Sequence, residues 1–207
     1  MRIAYYPGCT LKTNAKNFED SAIASAKELG IEMVEPDRWN CCGTVHALVK
    51  DDVMHHLAPV RNLIRVEELK EADKVDSKQV VTLCAMCYNT LKRSNQTFNE
   101  DADKKQKIHD VMYKEDIKYS GNVEVLHYLE VLREIGWDKV KEAVKKPLDG
   151  LKIAPYYGCL LLRPRGIGID NADNPTIIED LIEALGGEVV DFAYKQKCCG
   201  AYHTVHM

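Results

Sequence analysis

The sequence predicts an α/β fold of two pseudo-repeated units, each a mostly parallel sheet flanked by helices, with the second unit incomplete. Three observations carry this. Short β-prone runs alternate with helical stretches along most of the chain. The alternation occurs twice: "IAYYPGCTL" (Ile3 to Leu11) matches "IAPYYGCLL" (Ile153 to Leu161), and "WNCCGTVH" (Trp39 to His46) matches "QKCCGAYH" (Gln196 to His203). Finally, Cys9, Cys84 and Cys159 each stand just after a predicted strand. Right-handed crossovers bring the C-terminal ends of parallel strands to one edge, where open α/β sheets form their sites. The pattern therefore gathers distant cysteines at one edge.

Taken in order, Ile3 to Leu11 is a β-prone run ending in Gly-Cys. Asn14 to Leu29 is a helix with Ala22, Ala26 and Leu29 on one face and Gly30 after its end. Ile31 to Glu35 is a strand that leads into the first Cys-Cys-Gly. Asp51 to Ala72 is helical, with Val53, Leu57, Val60, Leu63, Ile64 and Leu69 as its apolar positions. Gln79 to Cys84 reads as a buried strand, and Cys84 to Ser94 as the start of a helix. Lys104 to Tyr119 is a polar helix, and Val123 to Leu132 a strand turning into a helix. Gly136 to Gly150 is a linker helix. The second unit repeats the order: a strand ending at Cys159, a helix over Thr176 to Leu185 behind Asn174-Pro175, a strand over Glu188 to Phe192, and the second Cys-Cys-Gly. The domain expectation is residues 1–135, a linker over 136–150, and 151–207.

Composition sets the class. The chain of 207 residues is 45% hydrophobic and 29% charged, as a globular protein is, and long enough for a substantial core. A net charge of -4 argues against a nucleic-acid footprint. No apolar run is long enough to span a membrane, and "MRIAYYPGC" lacks a signal-peptide layout, so a cytoplasmic protein is expected. Eight cysteines without an export signal point to metal binding or redox chemistry rather than a disulfide framework.

The first unit holds Cys9, the Cys41-Cys42 pair and Cys84-x-x-Cys87. Cys-x-x-Cys opening a helix turns two thiolates toward one ion, with the helix N-terminus favouring their charge. That motif also suits thioredoxin-like and zinc centres. Adjacent cysteines rarely serve one zinc ion, and five thiolates exceed the four that structural zinc takes. All-thiolate ligation on that scale suits an iron–sulfur cluster assembled by the fold.

These segments carry a resemblance. "YYPGCTL", "WNCCG", "LCAMCYNTLKR" and "PTIIEDLIEALGGEVVDF" look like the B subunit of heterodisulfide reductase and its bacterial relatives, a cysteine-rich family of "CCG" domains. The resemblance covers nearly the whole chain. It implies a noncubane [4Fe-4S] cluster on Cys9, Cys41, Cys42, Cys84 and Cys87, with Cys159, Cys198 and Cys199 belonging to a second. It implies cleavage of a disulfide, that of coenzymes M and B or a related pair. Its implied partners are a ferredoxin-like C subunit and a flavin-containing A subunit. The second unit departs from the pattern, for no second Cys-x-x-Cys follows Cys199. A fragment or truncated gene product is expected, with the second cluster in doubt and apolar edges open to self-association.

Other residues are weaker candidates. His46 and His203 occupy matching positions after the cysteine pairs and are candidates for proton transfer. Arg163 and Arg165 in "LLLRPRG" are candidates for holding an anionic substrate. His55-His56 reads as solvated, His127 as a structural histidine, and Tyr5, Tyr6, Tyr156 and Tyr157 as walls. Two further readings stand beside disulfide reduction. One is an electron-relay subunit of a glycolate, lactate or glycerol-phosphate oxidation system. The other is a non-enzymatic zinc module, in which His203 and His206 join Cys198 and Cys199 on adventitious zinc.

Overall fold

A computed structural model describes residues 1–44 and 52–201 of the chain. It divides into two units, Met1–His127 and Tyr128–Met207.

The first unit is a four-stranded parallel sheet in the order β2-β1-β3-β4. Its strands are β1 (Arg2–Tyr5), β2 (Glu32–Val34), β3 (Gln79–Thr82) and β4 (Glu124–His127). The register pairs Ile3 with Met33, Tyr5 with Val81 and Thr82 with His127. Ile3, Ala4 and Tyr5 are all buried, as are Val80 and Val81, so both faces of the central strands are covered. This explains why these strands read as continuous apolar runs rather than as alternating ones. The chain leaves β1 toward β2 and then crosses back to β3, so the crevice of the sheet opens at the C-terminal ends of β1 and β3.

The connections of the first unit are helices: α1 (Gly8–Leu11), α2 (Lys16–Glu28), α3 (Val53–Glu71), α4 (Ala85–Glu100) and α5 (Ala102–Val111). Helix α3 is anchored by Asp52, whose carboxylate accepts the N–H of Met54 at 3.0 Å. It buries Val60, Leu63, Ile64 and Val66, and it packs on α4 and α5. Leu63 is fully buried. Leu63→Ala is expected to cost about 2–5 kcal/mol, measured by denaturant unfolding of the metal-free chain.

Two stretches depart from the expected elements. The helix foreseen over Lys104 to Tyr119 starts at the cap Asp101, which accepts the N–H of Lys104 at 3.0 Å, and ends at Val111. Beyond it the chain turns, and Glu115 is taken by Arg61 at 2.7 Å and by the buried Arg65. Burial works against the Glu115 carboxylate, but these two guanidiniums hold its carboxyl below the usual range. Tertiary ion pairing thus overrides helical continuation. In 136–150 the helical part is Trp137–Glu142 alone, and Pro147 bars a helix from running on through the rest of the stretch.

The second unit contains α6 (Tyr128–Ile135), α7 (Trp137–Glu142), α8 (Ile177–Ala184) and a parallel pair, β5 (Lys152–Ile153) with β6 (Glu188–Val189). The foreseen strand over Glu188 to Phe192 therefore keeps only its first two residues. Helix α7 packs on both α6 and α8. Tyr157 donates its hydroxyl to Glu179, which also meets Lys195 at 2.5 Å, tying α8 to the chain ahead of the second cysteine pair.

Candidate functional site: a basket of five thiols

At the C-terminal edge of the sheet three segments converge. Cys9 lies in α1, one turn after β1. Cys41 and Cys42 lie in the loop after β2. Cys84 immediately precedes α4, and Cys87 lies in that helix's first turn. Cys42 and Cys87 are buried, with sulfurs 3.7 Å apart, although 45 positions separate them in sequence. Cys84 lies near enough to Cys87, and Cys41 to Cys9, for each to perturb the other's thiol. The five cysteines of the first unit thus gather at one edge, with direct sulfur contact between Cys42 and Cys87; among the described residues no group of three or more is arranged as a formed metal site.

The electrostatics of the group come from its own sulfurs, from backbone N–H groups and from burial. The Cys42 thiol is brought down from its ordinary value by its hydrogen bond with Cys87, against burial, with help from the Thr44 N–H. Cys84 is brought down the same way by Cys87, against burial, with help from the N–H groups of Cys87 and Met86. Cys87 is pushed up by its bonds with Cys42 and Cys84 and by burial. Cys41 is raised by burial, against the Gly43 N–H. All five side chains are soft sulfur donors, the donor type that thiophilic cations take.

The backbone makes room for such a group. Gly8 has φ +72, and a Cβ there would lie 2.8 Å from the Cys87 sulfur. Gly43 (φ +89) and Thr44 (φ 56) follow the cysteine pair with positive φ. A β-branched residue held there marks a strained loop.

Aromatic side chains wall the group. Tyr6 is buried, and its phenol is pushed well above the usual range by burial first and then by Cys87, Cys42, Cys41 and Cys9. Its hydroxyl stays protonated and donates to the Asn40 carbonyl at 2.7 Å. Trp39 meets Tyr6 edge-on and donates its indole N–H to Glu35 at 2.7 Å. Lys12 then joins Glu35 at 2.6 Å to the buried Glu19 at 2.8 Å, and Glu19 accepts from Tyr5. At the far side, burial brings the His127 imidazole down to about 4, so the ring is neutral. Its Nε2–H donates to the Leu83 carbonyl at 3.1 Å, beside Cys84, and the ring meets Tyr88 edge-on. This is the structural histidine the sequence suggests.

Within the second unit Cys159, Cys198 and Cys199 also approach one another. Cys159 is raised by burial and then by its bond with Cys198. Gly158 (φ +67) and Gly200 (φ +79) repeat the conformations of Gly8 and Gly43. Cys198 and Cys199 are exposed, and the Tyr156 ring beside them is half exposed.

The remaining candidates fall elsewhere. Arg163 and Arg165 both pair with Asp173, at 3.5 and 2.7 Å, on the surface. His56 is not solvated but buried, with Nδ1 2.9 Å from the Ser94 hydroxyl. His46, His203 and His206 lie outside the described residues. Sequence reasoning missed Asn40 and Asn62, which link the cysteine-pair loop to α3. The only signal was a short amide inside a helix, where asparagine is a poor helix former.

Comparison with known proteins gives the family and the fold. The family model described as the cysteine-rich domain, CCG, matches residues 3–92 and 153–207. The membrane anchor subunit of an 8-methylmenaquinol:fumarate reductase from Wolinella succinogenes is 35% identical over 204 residues, 98% of this chain and 68% of that protein. The B subunit of a ferredoxin:CoB-CoM heterodisulfide reductase from Methanosarcina mazei is 28% identical over 202 residues, 97% of this chain and 65% of that protein. The chain thus spans about two thirds of the length of these relatives. A crystal structure of a hypothetical protein from Helicobacter pylori shares the fold, with a TM-score of 0.68 and 12% identity, over 94% of this chain and 33% of that one. No helix among the described residues is long and apolar enough to cross a membrane.

Proposed function

Because the chain belongs to the cysteine-rich CCG family, we propose that it is an iron–sulfur electron-transfer subunit of a reductase complex. The single observation that carries this reading is the 3.7 Å contact of the buried Cys42 and Cys87 sulfurs at the sheet edge where Cys9, Cys41 and Cys84 also lie. Cys9, Cys41, Cys42, Cys84 and Cys87 would hold a [4Fe-4S] cluster of noncubane type. More than four thiolates and a pair of adjacent cysteines fit several irons better than one zinc ion. When bound, the cluster supplies one-electron transfer and iron sites able to take a thiolate.

The chain's own residues prepare the site. The Gly43, Thr44, Met86 and Cys87 N–H groups favour anionic sulfur. Tyr6 covers the buried side of the group, whereas Cys9 and Cys41 are exposed. Neutral His127 fixes the Leu83 carbonyl next to Cys84 without adding charge.

The electrons have two candidate destinations. In the first, the complex reduces a small disulfide, taking two electrons and two protons to give two thiols. The relatives named as heterodisulfide reductase B subunits support this. A ferredoxin-like C subunit and a flavin-containing A subunit would then feed it. In the second, the chain relays electrons between a quinol and another reductase subunit, as the name of the 35% identical relative suggests.

Iron, acid-labile sulfide and zinc per chain, measured on anaerobically prepared protein beside its EPR spectrum, test the common part. About four irons are expected on the first unit, and zinc without iron would overturn the reading. Mixing the reduced complex with a disulfide, and the oxidised complex with a menaquinol analogue, then separates the two readings.

A further inference from the structure

Asn62 is not a thiol, lies in the middle of α3 and is almost fully buried, 3% exposed. Its carboxamide makes two bonds to one residue. Its Oδ1 accepts the Asn40 N–H at 2.9 Å, and its Nδ2–H donates to the Asn40 carbonyl at 2.9 Å. Because one partner is a backbone donor and the other a backbone acceptor, the orientation of the amide is fixed. The side chain thereby imitates a neighbouring strand for a loop that belongs to no sheet.

The grip continues toward the sulfurs. The same Asn40 carbonyl also accepts from Tyr6 at 2.7 Å. The Asn40 side chain donates to the carbonyls of Cys41 at 2.8 Å and Ala58 at 3.3 Å. Every one of these bonds converges on the residue immediately before Cys41-Cys42. On the other side of the pair the backbone runs through two positive-φ positions, Gly43 and Thr44.

We propose that Asn62 is the positioning residue of the Cys41-Cys42 pair: its amide clamps the backbone of Asn40 and so fixes where both thiols stand against Cys9 and Cys87. The role of the clamp in metal binding rests on the iron–sulfur reading above. The clamp itself does not.

The test uses the full chain in wild-type form and as Asn62→Leu and Asn62→Gln. Leucine matches the volume and removes both bonds, whereas glutamine keeps an amide on a longer stem. In reduced, metal-free protein, hydrogen exchange at the Asn40 amide and alkylation of Cys42 by iodoacetamide are followed. In reconstituted protein, the EPR spectrum and midpoint potential are read.

With Asn62→Leu, the Asn40 amide is expected to exchange about tenfold faster, the effect of losing one to two buried hydrogen bonds, while α2 amides stay as in the wild type. Cys42 alkylates faster, the reconstituted spectrum broadens or shifts, and Asn62→Gln restores part of both. The proposal is overturned if Asn40 exchange is unchanged in Asn62→Leu, or if all amides of the first unit accelerate together. It is also overturned if the potential and spectrum of the loaded variant equal those of the wild type. A wild type that takes no iron yet shows the local change in Asn62→Leu would sink the iron–sulfur reading and support the clamp.

Discussion

Cys87→Ser is expected to empty the first site, taking iron from about four per chain to near zero. Cys87 contacts Cys42 and lies near Cys84, so it joins the cysteine pair to the segment after β3. It is 5% exposed, so water cannot replace it as a ligand at little cost. Serine offers a harder oxygen on a shorter bond, unsuited to iron in a thiolate set. The fold itself should survive, since the exchange is close to isosteric and a hydroxyl can still donate to the neighbouring sulfurs. Cys198→Ser is the matched control. Its thiol is exposed in the second unit, and it should leave the iron of the first site and its EPR spectrum as they are. Equal iron in Cys87→Ser and wild type would remove Cys87 from the ligand set. Equal loss in both variants would mean that the two cysteine groups do not act separately.

Much of the first unit is legible in the sequence, for a physical reason. Parallel strands buried on both faces, such as Ile3 to Tyr5 and Val80 to Thr82, leave continuous apolar runs that need no partner information to read. The placement of Cys9 and Cys84 at one edge follows from those strands and from crossover handedness alone. What could not be read is set by contacts between distant segments. Glu115 ends a helical pattern because Arg61 and Arg65 lie across from it. His56 looks solvated next to His55, yet Ser94 of α4 receives it in the core. Asn62 looks like an ordinary polar position on α3 until the loop at Asn40 is folded beside it. Periodicity reports what faces the core, whereas a side chain's partner is a property of the folded chain.

Gly8→Ala separates the two things a glycine does at this site. At φ +72 an alanine costs about 1–3 kcal/mol of backbone strain. Its Cβ would also stand 2.8 Å from the Cys87 sulfur, closer than the two atoms can approach, so the sulfur or α1 must move. Gly43→Ala supplies the comparison. Gly43 has φ +89, with nothing among the described residues within 4 Å of the added Cβ, so against them it suffers strain alone. Gly8→Ala should therefore lose more stability than Gly43→Ala as a metal-free chain, measured by denaturant unfolding. Only Gly8→Ala should also lose most of its bound iron and shift the spectrum of what remains, because it displaces a proposed ligand as well as straining a turn. If both retain wild-type iron, the Cys87 sulfur is free to move and the basket is softer than its burial implies. If Gly43→Ala loses as much iron as Gly8→Ala, strain in the loop after the cysteine pair, rather than the space beside Cys87, limits how the thiols are held.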